Sequence, residues 1–210
     1  MQAAQLDGTS KALVFALAGW SGFFVMAVEL LSGRVLAPSF GNSIYVWGGV
    51  ITVFMLALSV GYLAGGHLSV HAPSLRRLGC LVLAAAAATA PVVLWGEPLL
   101  DLIFDQVRDP RYGSLLASSA LFFLPTAISG TVSPYAVRLL VTQLHASGRS
   151  AGSLYFVSTF GSAAGTILTS FHLVLLFEVD EILLGMMLVS CLLGALAVGF
   201  RDTGTAGAAR

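Results

Sequence analysis

The sequence predicts an all-α integral membrane protein, a bundle of about six transmembrane helices. Of its 210 residues, 57% are hydrophobic and 10% charged, and mean hydropathy is +0.91. So little polar surface cannot cover a soluble globule. A spanning helix needs about 20 mostly apolar residues, and such runs stand near Ala12–Leu31, Ile44–Gly66, Leu78–Trp95, Ser114–Val132, Leu154–Leu176 and Ile182–Phe200. The runs are continuous instead of alternating, which argues against a β-barrel. Net charge is +0, so no overall field points to nucleic acid; the partner implied is the lipid bilayer.

The charge distribution sets an orientation. With the N-terminus in the cytoplasm, Lys11, Arg76, Arg77, Arg138, Arg149, Arg201 and Arg210 lie inside, against Arg34, Arg108 and Arg111 outside. That asymmetry follows the positive-inside rule and predicts a multi-pass protein of the cell (inner) membrane with both termini cytoplasmic. Residues 1–11 read as a cytoplasmic tail, 12–200 as the polytopic domain and 201–210, rich in glycine, alanine and threonine, as a disordered tail. Ala16-Leu-Ala18 has the small-x-small form of a cleavage site but lies inside the apolar run, so an uncleaved first helix is expected. Cys80 and Cys191 fall within spans and read as small apolar fillers, not a disulfide or metal pair.

The first span ends in Glu29, followed by Arg34. Ionisable groups at that depth are costly and become site candidates by default; the alternative is a boundary pair that fixes how deep the helix sits. Residues five apart on a helix are separated by about 140°, so the two would not face one another. Ala37 precedes Pro38 and is biased away from helix, which predicts a short irregular or re-entrant segment ending near Gly41-Asn42. The second span opens on the interfacial aromatics Tyr45 and Trp47, and its Gly61 and Gly65 allow close approach of another helix. His67 and His71 follow at four-residue spacing, but no cysteine, acid or third histidine stands beside them, so they read as loop histidines and no metal site is assigned.

The third span carries the smooth run Ala84–Ala88 and leads into Glu97–Tyr112, where Asp101, Asp105 and Asp109 stand four apart. On a helix they form one stripe, so an amphipathic interfacial helix with a solvated acidic face is expected. Ligand spacing and glycine position do not fit a calcium loop. Pro125 in the fourth span marks a kink, and hence a candidate moving part. The inner loop from Tyr135 to Arg149 is expected to hold a short surface helix. In the fifth span, Ser158, Gly161, Ser162, Gly165 and Thr169 share one face, which argues for tight helix packing. His172 lies one turn on, either a buried histidine bonded to neighbouring backbone or a proton or substrate contact. The turn Glu178–Glu181 then leads to an almost purely apolar sixth span.

The ordered set Glu29, Arg34, Ala37-Pro38, Phe40-Gly41 and Trp47, then Gly61-Tyr62 and Gly65-Gly66, Ser133-Pro134, Tyr155-Phe156, Ser158-Thr159, Gly161-Ser162 and Gly165-Thr166 resembles the membrane portion of the fused transporter/spermidine synthase family. The resemblance covers nearly the whole chain and implies a helical bundle related to the major facilitator superfamily. Gly61-Tyr-Leu-Ala64 is similar to the start of that superfamily's loop motif, but Gly65 stands where the motif has its acid, so a gating role for the acid is not carried over. Nothing after Phe200 forms the synthase domain, which needs a glycine-rich turn and acids at the strand ends of an α/β sheet, so no enzymatic activity is transferred.

Two functions are expected from these readings. One is a transporter-like protein for polyamines or related small solutes, with Glu29, Arg34 and His172 as substrate-binding candidates. In it Gly61, Gly65, Pro125, Ser158, Gly161 and Gly165 serve helix packing or gating. Six helices are half the usual complement of that superfamily, so this reading calls for a homodimer. The other is a non-transporting membrane partner or anchor for a separate cytoplasmic synthase-like enzyme. No nucleophile, base and orienting acid are placed together, and no cofactor is implied.

Overall fold

The computed structural model describes residues 7–70, 73–141 and 147–200, and every regular element among them is helical. These are α1 (Gly8–Phe40), α2 (Ile44–Leu68), α3 (Leu75–Gln106), α4 (Pro110–Gly130), α5 (Val132–Leu140), α6 (Ser147–Leu168), a π-helical turn (Thr169–Leu173), α7 (Val174–Leu176) and α8 (Val179–Gly199). Joined as Pro110–Leu140 and Gly148–Leu176, the broken segments give six helices long and apolar enough to cross a membrane, compatible with a multi-pass membrane protein. The starts are capped locally. Ser43 Oγ accepts from Val46 N–H at 3.5 Å, Ser74 Oγ from Arg77 N–H at 3.3 Å and Asp109 Oδ1 from Arg111 N–H at 3.0 Å. At α8, Glu178 and Glu181 form a reciprocal capping box.

Several elements run past their expected ends. The irregular segment expected after the first span contracts to Gly41–Ser43, because α1 continues through Pro38 to Phe40. Proline removes only its own N–H and crowds the carbonyl four residues back; here the helix ends within a turn, at Gly41, whose φ of 75° suits glycine. Helix α3 passes Pro91 and Pro98 and absorbs the expected interfacial helix. Asp109 is left outside it, as the cap of α4. Pro125 sits inside α4, and the interruption falls farther on at Thr131, whose N–H turns to Ile128 O at 3.0 Å. Beyond that break α5 is no surface helix, since Tyr135 and Ala136 are buried. The rest of the expected surface helix, including His145, lies partly outside the described residues, as do His71 and the tail 201–210.

Helix α1 packs against α6, α4, α3, α5, α2 and α8, and the most extensive pairings in the bundle are α2 with α4, α1 with α6 and α3 with α8. By span these are second with fourth, first with fifth and third with sixth. Exchanging the first three spans in order for the last three leaves that set unchanged. Small residues permit all three approaches, Gly79 of α3 lying against the Gly194 carbonyl of α8. A β-carbon on Gly61 or Gly65 of α2 would overlap the Ala127 or Thr131 carbonyl of the fourth span, and one on Gly161 or Gly165 of α6 would overlap the Gly19 or Phe23 carbonyl of α1.

The buried side chains divide into two clusters. One gathers Phe24, Leu31, Phe40, Phe54, Phe122 and Leu183, the other Val14, Leu17, Leu78, Tyr135, Leu154 and Ala197. Trp20 packs against both, and the hydroxyls of Ser21, Ser129 and Ser190 lie near it.

Candidate functional site

Helix α1 has 33 residues and, at a rise of roughly 1.5 Å per residue, spans about 50 Å. A bilayer's hydrocarbon core is about 30 Å thick. The last turns of α1 and of the comparably long α3 therefore reach beyond their apolar runs, and polar side chains are expected there. A cleft of about 470 Å³ opens between these turns and the start of α8, lined among others by Arg34, Pro38, Glu97, Asp101, Glu178 and Asp180.

Local sequence explains each position. Glu97 and Asp101 are four apart, so α3 presents them on one face. Glu178 caps α8 and Asp180 lies in its first turn, where the helix dipole favours acids. Four carboxylates against the single Arg34 guanidinium leave the lining with a net negative formal charge. Acids on two separate helices, with low-dielectric walls, concentrate a field that attracts cations.

Arg34 is exposed and its Nη1 donates to Val174 O at 3.2 Å. That bond depends on the π-helical turn beside it, which ends with Val174 N–H donating to Thr169 O. Such a turn disturbs the regular carbonyl ladder, and Arg34 supplies a donor at its end. Glu29 is half-buried one turn and a half earlier. Among the described residues no ion pair joins it to Arg34, as their five-residue separation predicts. Its carbonyl accepts from Ser32 Oγ at 2.6 Å. His172 is exposed on the π-helical turn. Neither Glu29 nor His172 lines the cleft, so of the three binding candidates read from the sequence only Arg34 does.

The packing candidates sit between helices. Pro125 is buried in α4. Ser158 is half-buried in α6, its Oγ 3.5 Å from Ser133 Oγ of α5, and its carbonyl accepts from Ser162 Oγ at 3.1 Å. His67 places Nδ1 2.8 Å from Leu63 O, and no group of three His, Cys, Asp or Glu suited to a metal occurs among the described residues. Cys80 and Cys191 are free and exposed.

At the same end of the bundle, Arg111 grips Asp109 through Nε at 3.1 Å and Nη2 at 2.8 Å, with its guanidinium 5.9 Å from the Tyr45 ring centroid and 5.8 Å from that of Tyr112. Hydrogen bonding to Arg111 holds the Asp109 carboxyl below its ordinary value. Cation and aromatics together suit a headgroup boundary.

The contribution of Glu97, Glu178 and Asp180 was not read from the sequence. The spacing of Glu97 and Asp101 was the available signal, masked by Pro98, which reads as a helix boundary. Comparison of the chain with protein-family models, with curated proteins and with solved structures gives no match.

Proposed function

We propose that this six-span bundle is a transporter-like protein of the cell (inner) membrane that takes small organic cations, polyamines or related amines, at the cleft beside Arg34. The observation that carries the reading is the set of four carboxylates on α3 and α8 around a cavity large enough for a linear amine. An extended dication can meet Glu97 or Asp101 with one end and Glu178 or Asp180 with the other, linking the two helices. Arg34 disfavours cations of higher charge at its own edge of the cleft, while its bond to Val174 O ties the cleft to the fifth span.

The pairing of second with fourth, first with fifth and third with sixth spans supports the same reading. It is the set expected where two three-helix units are related by a two-fold axis, as in inverted-repeat transporters. It also accords with the resemblance to the membrane portion of the fused transporter/spermidine synthase family. Six spans correspond to one half of such a transporter, so the functional unit is a homodimer. No aminopropyl transfer is ascribed to these helices.

The test is uptake of labelled putrescine and spermidine into proteoliposomes under imposed ion and pH gradients. Saturable uptake is expected. Asp101→Asn combined with Glu178→Gln should raise the half-saturating concentration about tenfold, which corresponds to roughly 1.4 kcal/mol. No uptake under any gradient rejects the proposal.

A second reading rests on the opposite end of the bundle, where Arg76, Arg138 and Arg149 are exposed and Ser74 N–H donates to Tyr135 OH at 3.1 Å, holding the start of α3 against α5. That basic rim suits a membrane anchor for a separate synthase-like enzyme. Purification in gentle detergent that repeatedly yields the chain alone would count against it.

A further inference from the structure

A layer of hydroxyls lies near Trp20, where the two apolar clusters meet. Trp20 Nε1 donates to Ser190 Oγ at 2.8 Å, Ser190 Oγ donates to Met186 O at 2.8 Å, and Ser21 Oγ donates to Ser129 O at 3.1 Å. Beside them is a cavity of about 10 Å³ whose lining includes Trp20, Ser21, Phe24, Ser129, Val132 and Ser190. Ser129 is 3% exposed, and its Oγ has no hydrogen-bond partner within the protein. Ser118 Oγ and Thr169 Oγ1 are also buried without a partner within the protein, but neither borders this cavity; several other hydroxyls on the spans behave differently. Thr89, Ser119, Ser162 and Thr166 each donate to the carbonyl four residues back, the usual way a helical hydroxyl satisfies itself. Ser129 does not turn to Pro125 O.

A buried hydroxyl left unpaired is unfavourable. Here the unpaired group borders a space at the lower edge of what one water occupies, roughly 10–15 Å³. Each hydroxyl oxygen accepts up to two hydrogen bonds, so Ser21 and Ser190 retain acceptor capacity beside the same space. We propose that this cavity is a binding site for a single water, held by Ser129 Oγ together with the hydroxyls of Ser21 and Ser190. The water joins the first, fourth and sixth spans two residues before the interruption at Thr131, and so ties the broken span to its neighbours at the break. The site holds no carboxylate, which favours a neutral guest over a cation. This assignment does not depend on the solute taken at the cleft.

The test is thermal unfolding of the full chain in detergent. With the water bound, Ser129→Ala removes one of its partners and should lower the melting temperature by about 2–4 °C. Ser21→Ala combined with Ser129→Ala should then lower it by less than the sum of the two single changes, because both act on one bridge. A dry cavity gives the opposite sign: deleting an unsatisfied hydroxyl leaves the melting temperature unchanged or raises it, and that result overturns the proposal. The melting-temperature difference between wild type and Ser129→Ala should be the same in sodium chloride and in choline chloride, since any effect at the cleft is common to both proteins; a difference that is larger in sodium assigns a cation and also overturns it. If Ser129→Ala does not fold, a high-resolution density map of the wild type decides the matter. A peak about 2.5–3.0 Å from Ser129 Oγ and from one other hydroxyl is expected, and no peak, or Ser129 Oγ turned onto Pro125 O, refutes it.

Discussion

Replacing Gly161 with alanine should loosen the fifth span from the first. The built β-carbon overlaps the Gly19 carbonyl and lies within 3.1 Å of Gly19 Cα. Both are backbone atoms, so no side chain can swing aside and the helices must separate. Overpacking of this kind costs about 1–3 kcal/mol, and at this chain length each kcal/mol lowers the melting temperature by about 2–4 °C. A fall of about 2–12 °C is therefore expected in detergent melts followed by size-exclusion chromatography. Gly185→Ala in α8 is the matched control, because nothing lies within 4 Å of its β-carbon. There alanine's helix propensity favours the variant by up to about 1 kcal/mol, so its melting temperature should hold or rise. Equal behaviour of the two variants would refute the argument from backbone contact.

Three further outcomes follow from individual side chains. Glu29→Gln should leave amine uptake and membrane insertion unchanged, because Glu29 does not line the cleft, and impaired uptake with normal insertion would return Glu29 to the functional residues. Tyr135→Phe deletes the acceptor of Ser74 N–H; a loss of about 1 kcal/mol should appear as faster hydrogen exchange at the start of α3, and unchanged exchange there would contradict the bond. The Asp109 carboxyl is held below its ordinary value by Arg111, so its contribution to stability is present above the ordinary carboxylate pKa and disappears as pH falls through the lowered one. Any melting-temperature gap between wild type and Asp109→Asn should accordingly close on acidification, and a gap that widens in acid would refute that sign.

The six spans were legible because hydropathy is a sum over about 20 residues and tolerates local detail. Their ends were not. At Pro38 and Pro98 the sequence argues for a break, yet each helix continues. Tertiary contact outweighs the loss of one backbone bond. Val92, Leu100 and Ile103 of α3 are buried against other helices on either side of Pro98. The Gly61/Gly65 and Gly161/Gly165 spacings were readable, since residues four apart share a helix face, but the helices they meet were not. The cleft was legible only in Arg34. Its acids come from segments far apart in sequence, and Glu178 and Asp180 join Glu97 and Asp101 only through the pairing of α3 with α8. The break at Thr131 had a quiet signal in Pro134, which lacks the N–H that would bond the Gly130 carbonyl.

The pairing of α1 with α6 bears on how the chain is made. Synthesis proceeds from the N-terminus, and the groove around Gly19 and Gly22 meets its partner only when Ser158, Gly161 and Gly165 have emerged. Until then the first span sits in the bilayer with its closest-packing face vacant, through the insertion of three further spans. A chain arrested after Leu140 would display that vacant face, which gives a membrane chaperone or protease a means of telling an unfinished bundle from a completed one.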